Sequence, residues 1–183
     1  MSDAPAVLSV ALPPLDDGAT DIETLDLLAQ LVRYERPARV VEAGTYRGHG
    51  ALVMAAALRA NGIEGHVWTA DPVDHGIGPY ISANNLGALL TWRNVSFDEM
   101  LPEVPTPIDF AFIDASDRRP GGDVLMRLHH LNLVMPKMRP GGLILVHDTG
   151  AKRGDWGGLE LILQMGGVNL RRPRGLTLIQ VKA

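Results

Sequence analysis

The 183-residue chain has no cysteine, which excludes disulfide bonds and thiolate metal sites. Basic residues are not in excess. The 17 Lys and Arg stand against 21 Asp and Glu, a formal net charge of −4 that disfavours a nucleic-acid-binding surface. No apolar run approaches the roughly 20 residues that a membrane-spanning helix needs, and the N-terminus lacks the basic region of a signal peptide. We therefore expect a cytoplasmic protein without nucleic-acid or membrane partners.

Apolar residues make up 46% of the chain and fall into alternating strand-like and helix-like segments. Residues 1–19, which contain several Pro and Asp, predict an N-terminal arm, and residues 20–183 predict one domain. The predicted strands are continuous apolar runs, which is typical of a parallel sheet covered on both faces. We expect an α/β protein: a Rossmann-like three-layer sandwich whose mostly parallel sheet ends in an antiparallel last strand.

The predicted elements have the following bounds. Strands are predicted over residues 39–43, 65–70, 92–97, 108–113, 143–146, 168–171 and 176–181. Helices are predicted over residues 20–36, 49–60, 81–90, 123–138 and 159–165. Pro140-Gly141-Gly142 is expected to end the fourth helix. The last two strands have a short connection through Pro173 and Gly175, which predicts a hairpin and therefore the antiparallel strand.

A glycine-rich turn follows the first predicted strand, in the run RVVEAGTYRGHG at residues 39–50. At Gly44, Gly48 and Gly50 a ligand can approach the backbone where no Cβ atom intervenes. The helix that begins behind the turn offers free N–H groups to an anionic group. The spacing Gly-x-x-x-Gly-x-Gly differs from the Gly-x-Gly-x-x-Gly fingerprint of dinucleotide-binding proteins.

Acidic residues lie at the ends of several predicted strands: Glu42, Asp71, Asp114 and Asp148. Ligands of open α/β sheets bind at this carboxyl edge. An acid at the end of the second strand, here Asp71, can accept hydrogen bonds from both hydroxyls of a ribose. So many carboxylates would serve a diphosphate poorly and a cationic ligand well.

Four motifs follow one another at the strand ends: VVEAGTYRGHG, TADP, FIDAS and RPGGLILVHDT. Together they resemble the class I S-adenosylmethionine-dependent methyltransferases, and among these the small-molecule O-methyltransferases related to catechol O-methyltransferase. The resemblance covers about residues 20–150. It implies S-adenosylmethionine as the cofactor, a small-molecule methyl acceptor and a homodimer.

The resemblance also implies roles for individual residues. Four residues of the glycine-rich turn would hold the methionine part of the cofactor: Glu42, Gly44, Tyr46 and Gly48. Asp71 would bind the ribose hydroxyls, Pro72 would lie beside the adenine, and Ser96 would face it. Asp114 would lie under the reacting methyl group. Gly50 stands where the family often has a serine that contacts the methionine carboxylate, so that contact would fall to backbone N–H groups.

Two arrangements could help to remove the acceptor's proton. Asp114 and Asp148 end strands that should be neighbours, roughly 4.8 Å apart, and could share Mg²⁺, which lowers the pKa of a bound hydroxyl. Thr149 stands where metal-dependent relatives commonly have an asparagine ligand, which leaves metal dependence open. The alternative is His147 as the general base. His147 and Asp148 can face the same site only if the strand ends between them.

Two other functions are compatible with the same pattern. One is a nicotinamide-dependent oxidoreductase on a Rossmann sheet, although the glycine spacing disfavours it. The other is a non-catalytic module that keeps the cofactor-binding fold. Neither the identity of the acceptor nor transfer to oxygen rather than nitrogen follows from the residues.

Overall fold

The computed structural model describes residues 9–62, 64–116, 122–149, 160, 162–170 and 174–182. Within them the strands are β1 (Arg39–Ala43), β2 (His66–Ala70), β3 (Leu90–Arg93), β4 (Ile108–Ile113), β5 (Met138–His147), β6 (Val168–Leu170) and β7 (Leu176–Gln180). The α-helices are α1 (Ile22–Glu35), α2 (His49–Asn61), α3 (Gly78–Ala83), α4 (Phe97–Met100) and α5 (Gly122–Val134). Short 3₁₀ helices follow α4 and α5, at Leu101–Glu103 and Met135–Lys137.

The strands form one sheet in the order β3-β2-β1-β4-β5-β7-β6. β1 to β5 pair in parallel, and β7 runs antiparallel to both β5 and β6. The predicted fold class, including the hairpin and the antiparallel last strand, is confirmed. The chain leaves β1 in one direction towards β2 and later returns on its other side as β4, so the switch point lies between β1 and β4.

The side chains on the two faces of the sheet belong to two separate hydrophobic clusters, because successive side chains of a strand point to opposite faces. Phe110 and Phe112 of β4 pack on the side of α1 and α2, with Leu28 and Leu52. The other cluster contains Ile113 of β4 together with Phe97, Leu131 and other residues from α4 and α5. The result is the predicted three-layer sandwich, with the sheet in the middle.

Two stretches differ from the predicted elements. The helix predicted over 81–90 is wrong: α3 ends at Ala83, Asn85 adopts a left-handed conformation with φ 54°, and Leu90 already pairs with Val67. The strand predicted over 92–97 therefore lies earlier, at Leu90–Arg93, and Ser96 is the N-cap of α4 instead.

Pro140-Gly141-Gly142 lies inside β5, and not at the end of a helix as predicted. They lie where the pairing of β5 with β4 shifts its register, between Ile108 and Phe110 of β4. Gly141 has φ 75°, which glycine adopts without strain. Of the last predicted helix, residues 160 and 162–164 are helical, while residues 159 and 161 and predicted strand residue Arg171 lie outside the described part of the chain.

Within the described ranges, no helix is long and apolar enough to cross a membrane.

Residues 9–19 of the predicted arm form an irregular segment that lies along the glycine-rich turn. Asp16 accepts a hydrogen bond from the hydroxyl of Tyr46 at 2.8 Å and pairs with Arg47 at 3.1 Å. The buried ring of His49 is bonded to the carbonyl of Pro13 at 3.0 Å.

Candidate active site

A cavity of about 700 Å³ opens at the carboxyl ends of β1, β2 and β4. Its described lining includes seven of the eight residues predicted to hold the cofactor: Glu42, Gly44, Tyr46, Asp71, Pro72, Ser96 and Asp114. Gly18 and Thr20, at the end of the N-terminal arm, line it as well. The strand-end residues therefore line one cavity beside the β1–β4 switch point.

The glycine-rich turn brings two strand ends into close contact. Gly44 has φ 93°, and a Cβ atom there would lie 2.7 Å from the backbone nitrogen of Ala115, just after β4. Gly48 has φ 95° and caps α2, and a Cβ atom there would collide with the side chain of Ile77. Gly48 is absent from the described lining, so its structural effect is on the start of α2.

Glu42 is 1% exposed, and its carboxylate accepts a hydrogen bond from Thr69 Oγ1 at 2.5 Å. Burial raises the pKa of Glu42 to about 8, and the charges of Asp114 and Asp71 add to the rise. Because an ordinary glutamate titrates near 4.5, the group is largely protonated at neutral pH until a cation arrives. A Cβ atom at Gly50 would collide with Glu42 Oε1, so a serine there would require the side chain of Glu42 to move.

The carboxylate of Asp71 is fixed by two backbone donors. Oδ2 accepts from the N–H of Tyr46 at 2.8 Å, and Oδ1 accepts from the N–H of Val73 at 2.9 Å. Tyr46 has φ 47°, an uncommon conformation for a non-glycine residue that turns its N–H towards Asp71. Ser96 donates its hydroxyl to Glu99 at 2.6 Å, is the N-cap of α4 and lines the cavity.

His147 bridges two carboxylates and is fully buried. Its Nδ1 lies 2.8 Å from Asp114 Oδ1, and its Nε2 lies 2.9 Å from Asp21 Oδ2. Burial alone would lower the pKa of His147, but Asp114, Asp21 and Asp148 outweigh it and raise the pKa to about 9. A protonated imidazole whose two N–H groups both donate has no lone pair left. His147 can therefore orient Asp114, but it has no free nitrogen to accept a proton as the predicted general base would.

Asp148 lies just beyond the end of β5 and is held by two arginines. Its φ of 56° turns the chain, so the strand does end between His147 and Asp148, as the sequence analysis required. Arg174 donates Nε to Asp148 Oδ1 at 2.6 Å and a second nitrogen to Oδ2 at 2.8 Å. Arg127 donates to the same Oδ2 at 3.3 Å.

The three residues predicted to bind Mg²⁺, Asp114, Asp148 and Thr149, each accept a hydrogen bond from the protein. Ligand atoms of Asp114, His147 and Asp148 lie within 4.8 Å of one another, but these groups have protein partners. The hydroxyl of Thr149 accepts a hydrogen bond from Thr177 of β7 at 2.9 Å. Mg²⁺ is bound through one or two carboxylates and several waters, so a carboxylate oxygen must be free to turn towards it. At each predicted ligand a metal ion would therefore compete with a hydrogen-bond donor of the protein.

The sequence analysis missed the partners that organise these acids: Thr20, Asp21, Arg127 and Arg174. Thr20 donates to Asp114 Oδ2 at 2.8 Å across 94 positions, and Arg174 reaches Asp148 across 26. No local pattern marks such contacts, because they depend on how the arm, α5 and the β6–β7 turn pack together.

A parallel sheet with a ligand-sized cavity at its switch point defines the Rossmann-like class of cofactor-binding proteins. A family model described as a methyltransferase domain matches residues 41–149, more than half of the chain. The chain belongs to this methyltransferase family. The resemblance to class I methyltransferases is thereby confirmed, and a methyltransferase is favoured over the oxidoreductase and the non-catalytic module.

Solved structures of methyltransferases share the fold. A proposed O-methyltransferase from Klebsiella pneumoniae has a TM-score of 0.73 at 23% identity, over 94% of this chain and 84% of that one. The O-methyltransferase TomG from Streptomyces achromogenes, in complex with SAM, has a TM-score of 0.72 at 18% identity, over 92% and 84%. An O-methyltransferase from Bacillus cereus, in complex with SAH, has a TM-score of 0.72 at 19% identity over the same shares. No curated protein matches the chain.

Proposed function

We propose that the protein transfers a methyl group from S-adenosylmethionine to a hydroxyl oxygen of a small molecule. The observation that carries the proposal is the charge of the cavity. Three acids line it, Glu42, Asp71 and Asp114, and no Lys or Arg is among its described lining residues. S-adenosylmethionine carries a sulfonium and an ammonium group, so it gains from Asp71 and Asp114 and favours the ionised form of Glu42, whereas a dinucleotide diphosphate would be repelled.

The roles proposed for the lining residues are those that the family resemblance implies. Glu42 faces the ammonium end of the cofactor, and the turn at Gly44 and Tyr46 wraps the methionine part. Asp71, oriented by its two backbone donors, accepts hydrogen bonds from the ribose hydroxyls beside Pro72. Ser96 lies on the adenine side. The bound TomG and Bacillus cereus structures support a cofactor of this kind in the shared fold.

Asp114 is the acid closest to the chemistry in this proposal. S-adenosylmethionine supplies an electrophilic methyl group on a positively charged sulfur. Asp114 accepts a hydrogen bond from the acceptor hydroxyl and aligns its oxygen with that methyl carbon. With the cofactor bound, its methyl group would pass from sulfur to the acceptor oxygen, and the hydroxyl proton would leave through Asp114 to solvent. His147 and Asp148 take part as groups that hold Asp114 and its surroundings in position.

We further propose a cytoplasmic protein that acts without nucleic-acid or membrane partners, as its acidic balance and lack of cysteine suggest. A homodimer is also part of the proposal. Exposed apolar side chains beside edge strand β6, Leu163, Met165 and Val168, give it a candidate contact surface. Light scattering at several protein concentrations tests the dimer.

The acceptor chemistry is tested with methyl-labelled S-adenosylmethionine and a panel of small phenols, alcohols and amines. We expect label in an oxygen-linked methyl product. Asp114→Asn should lower kcat by about 100-fold, because the variant keeps the shape of the side chain and loses its proton acceptor. Asp26→Asn, an exposed acid on α1, is the matched control and should leave kcat unchanged. Transfer only to amines, or full activity of Asp114→Asn, would contradict the proposal.

A further inference from the structure

We propose that this methyltransferase works without a divalent cation, because two arginine side chains occupy the place where one would bind. The inference rests on the proposed function and deepens it. The side chains are Arg127 of α5 and Arg174 of the turn before β7, and both contact Asp148.

These two guanidinium groups donate hydrogen bonds to both carboxylate oxygens of Asp148. Arg174 binds it through two parallel hydrogen bonds of 2.6 and 2.8 Å, the fork-like geometry in which arginine matches a carboxylate best. The side chains of Asp148 and Arg127 are only 3% and 5% exposed. A cation that approached Asp148 would have to displace a buried, charge-assisted pair, and the freed guanidinium would then lie beside it with like charge.

The other two predicted ligands are also engaged. Asp114 has a different partner on each oxygen, His147 on Oδ1 and Thr20 on Oδ2. Thr149 Oγ1 accepts a hydrogen bond from Thr177, on the side of β7. Mg²⁺ demands near-ideal octahedral geometry, and at each of these three side chains it would have to displace or compete with a protein donor.

Arg174 also connects the site to the N-terminal arm. Its second terminal nitrogen donates to the carbonyl of Ala19 at 2.5 Å, and Ala19 precedes Thr20, the donor to Asp114. One guanidinium thus fixes Asp148 and the residue next to Thr20. We assign Arg174 as a positioning residue that replaces the organising effect of a metal ion.

Mn²⁺ titration of the full chain, followed by electron paramagnetic resonance, tests the inference without reference to activity. We expect no binding below millimolar Mn²⁺, with or without S-adenosylhomocysteine. Methyl transfer should also change less than twofold when EDTA replaces Mg²⁺. Micromolar Mn²⁺ binding that Asp148→Asn abolishes, or a tenfold loss of activity in EDTA that Mg²⁺ restores, would overturn the inference.

Arg174→Met sharpens the test, because it removes the guanidinium and keeps most of the side-chain volume. The variant should gain at least tenfold in Mn²⁺ affinity, and the added change Asp148→Asn should remove the gain. Arg93→Met, in an exposed ion pair with Glu103, is the matched control and should bind Mn²⁺ as weakly as the parent protein. If Arg174→Met gains no affinity, the arginine is not what excludes the ion.

If Arg174→Met does not fold, the Mn²⁺ titration of the wild-type protein still tests the inference. Titration of S-adenosylmethionine into the same sample separates the two proposals. Absent cofactor binding would overturn the proposed function, whereas Mn²⁺ binding beside normal cofactor binding would overturn this inference alone.

Discussion

Replacement of Glu42 by glutamine should remove a large part of the pH dependence of folding stability. Glu42 is 1% exposed and has a pKa of about 8 in the folded chain, against an ordinary value of 4.5. The folded state therefore binds the proton more tightly than the unfolded state. The contribution of Glu42 to stability is complete below pH 4.5 and is lost as the pH rises to about 8.

The loss is large on the scale of folding. At about 1.4 kcal/mol for each pKa unit, it amounts to about 5 kcal/mol as an upper figure. Small domains have a free energy of unfolding of about 5–15 kcal/mol. The cofactor-free enzyme should therefore have a markedly lower free energy of unfolding at pH 8.5 than at pH 5. Glu42→Gln keeps the size and polarity of the protonated side chain and cannot ionise.

Urea unfolding of the cofactor-free protein between pH 5 and 8.5 measures this effect. The two proteins should be similarly stable at pH 5, and Glu42→Gln should become the more stable one by several kcal/mol at pH 8.5. His147, whose pKa is raised to about 9, also loses stabilising effect as the pH rises, so only the difference between the two proteins isolates Glu42. Glu64→Gln, at an exposed position, is the control. Parallel curves for wild type and Glu42→Gln would refute the reasoning.

The remaining predictions concern backbone, core and a second titrating group. Gly44→Ala should cost about 2 kcal/mol or more, by urea unfolding, because the left-handed φ and the contact with Ala115 both oppose a Cβ atom. Leu131→Ala, at a fully buried site, should cost about 2–5 kcal/mol, whereas Leu125→Ala, 70% exposed, should stay within about 0.5 kcal/mol; equal losses would contradict the described core. Burial lowers the pKa of His130 to about 4, so its NMR shifts should stay constant from pH 8 to 5.5, and its stabilising effect should fade as the pH falls towards 4; a midpoint above 6 would contradict its burial.

The parts of the fold that were predictable from the sequence are those where local pattern and packing agree. β1 and β4 have the predicted bounds, because short segments rich in Val, Ile and Phe between proline or glycine residues and acids favour a buried strand. The segment from Ile81 to Leu90 misled the prediction. Its apolar spacing suits a helix, yet the left-handed Asn85 ends the helix early, and Leu90 is drawn into the sheet by β2.

The cofactor side of the site was more predictable than the catalytic side. Glycines and strand-end acids are local signals, and the parallel topology brings them to one edge of the sheet. The network around Asp148 depends on contacts between distant segments, such as Arg127 with Asp148 and His147 with Asp21. Nothing in the spacing of single residues indicates that arginines would meet this carboxylate.

Calorimetric titration of S-adenosylmethionine into wild-type protein and Asp71→Asn tests the central claim most directly. Wild type should bind with micromolar affinity, and Asp71→Asn should bind about 10- to 100-fold more weakly, since it loses a charged acceptor for the ribose hydroxyls. Asp26→Asn should bind like wild type. Failure of wild type to bind at high micromolar concentration, or equal binding by Asp71→Asn, would contradict the account.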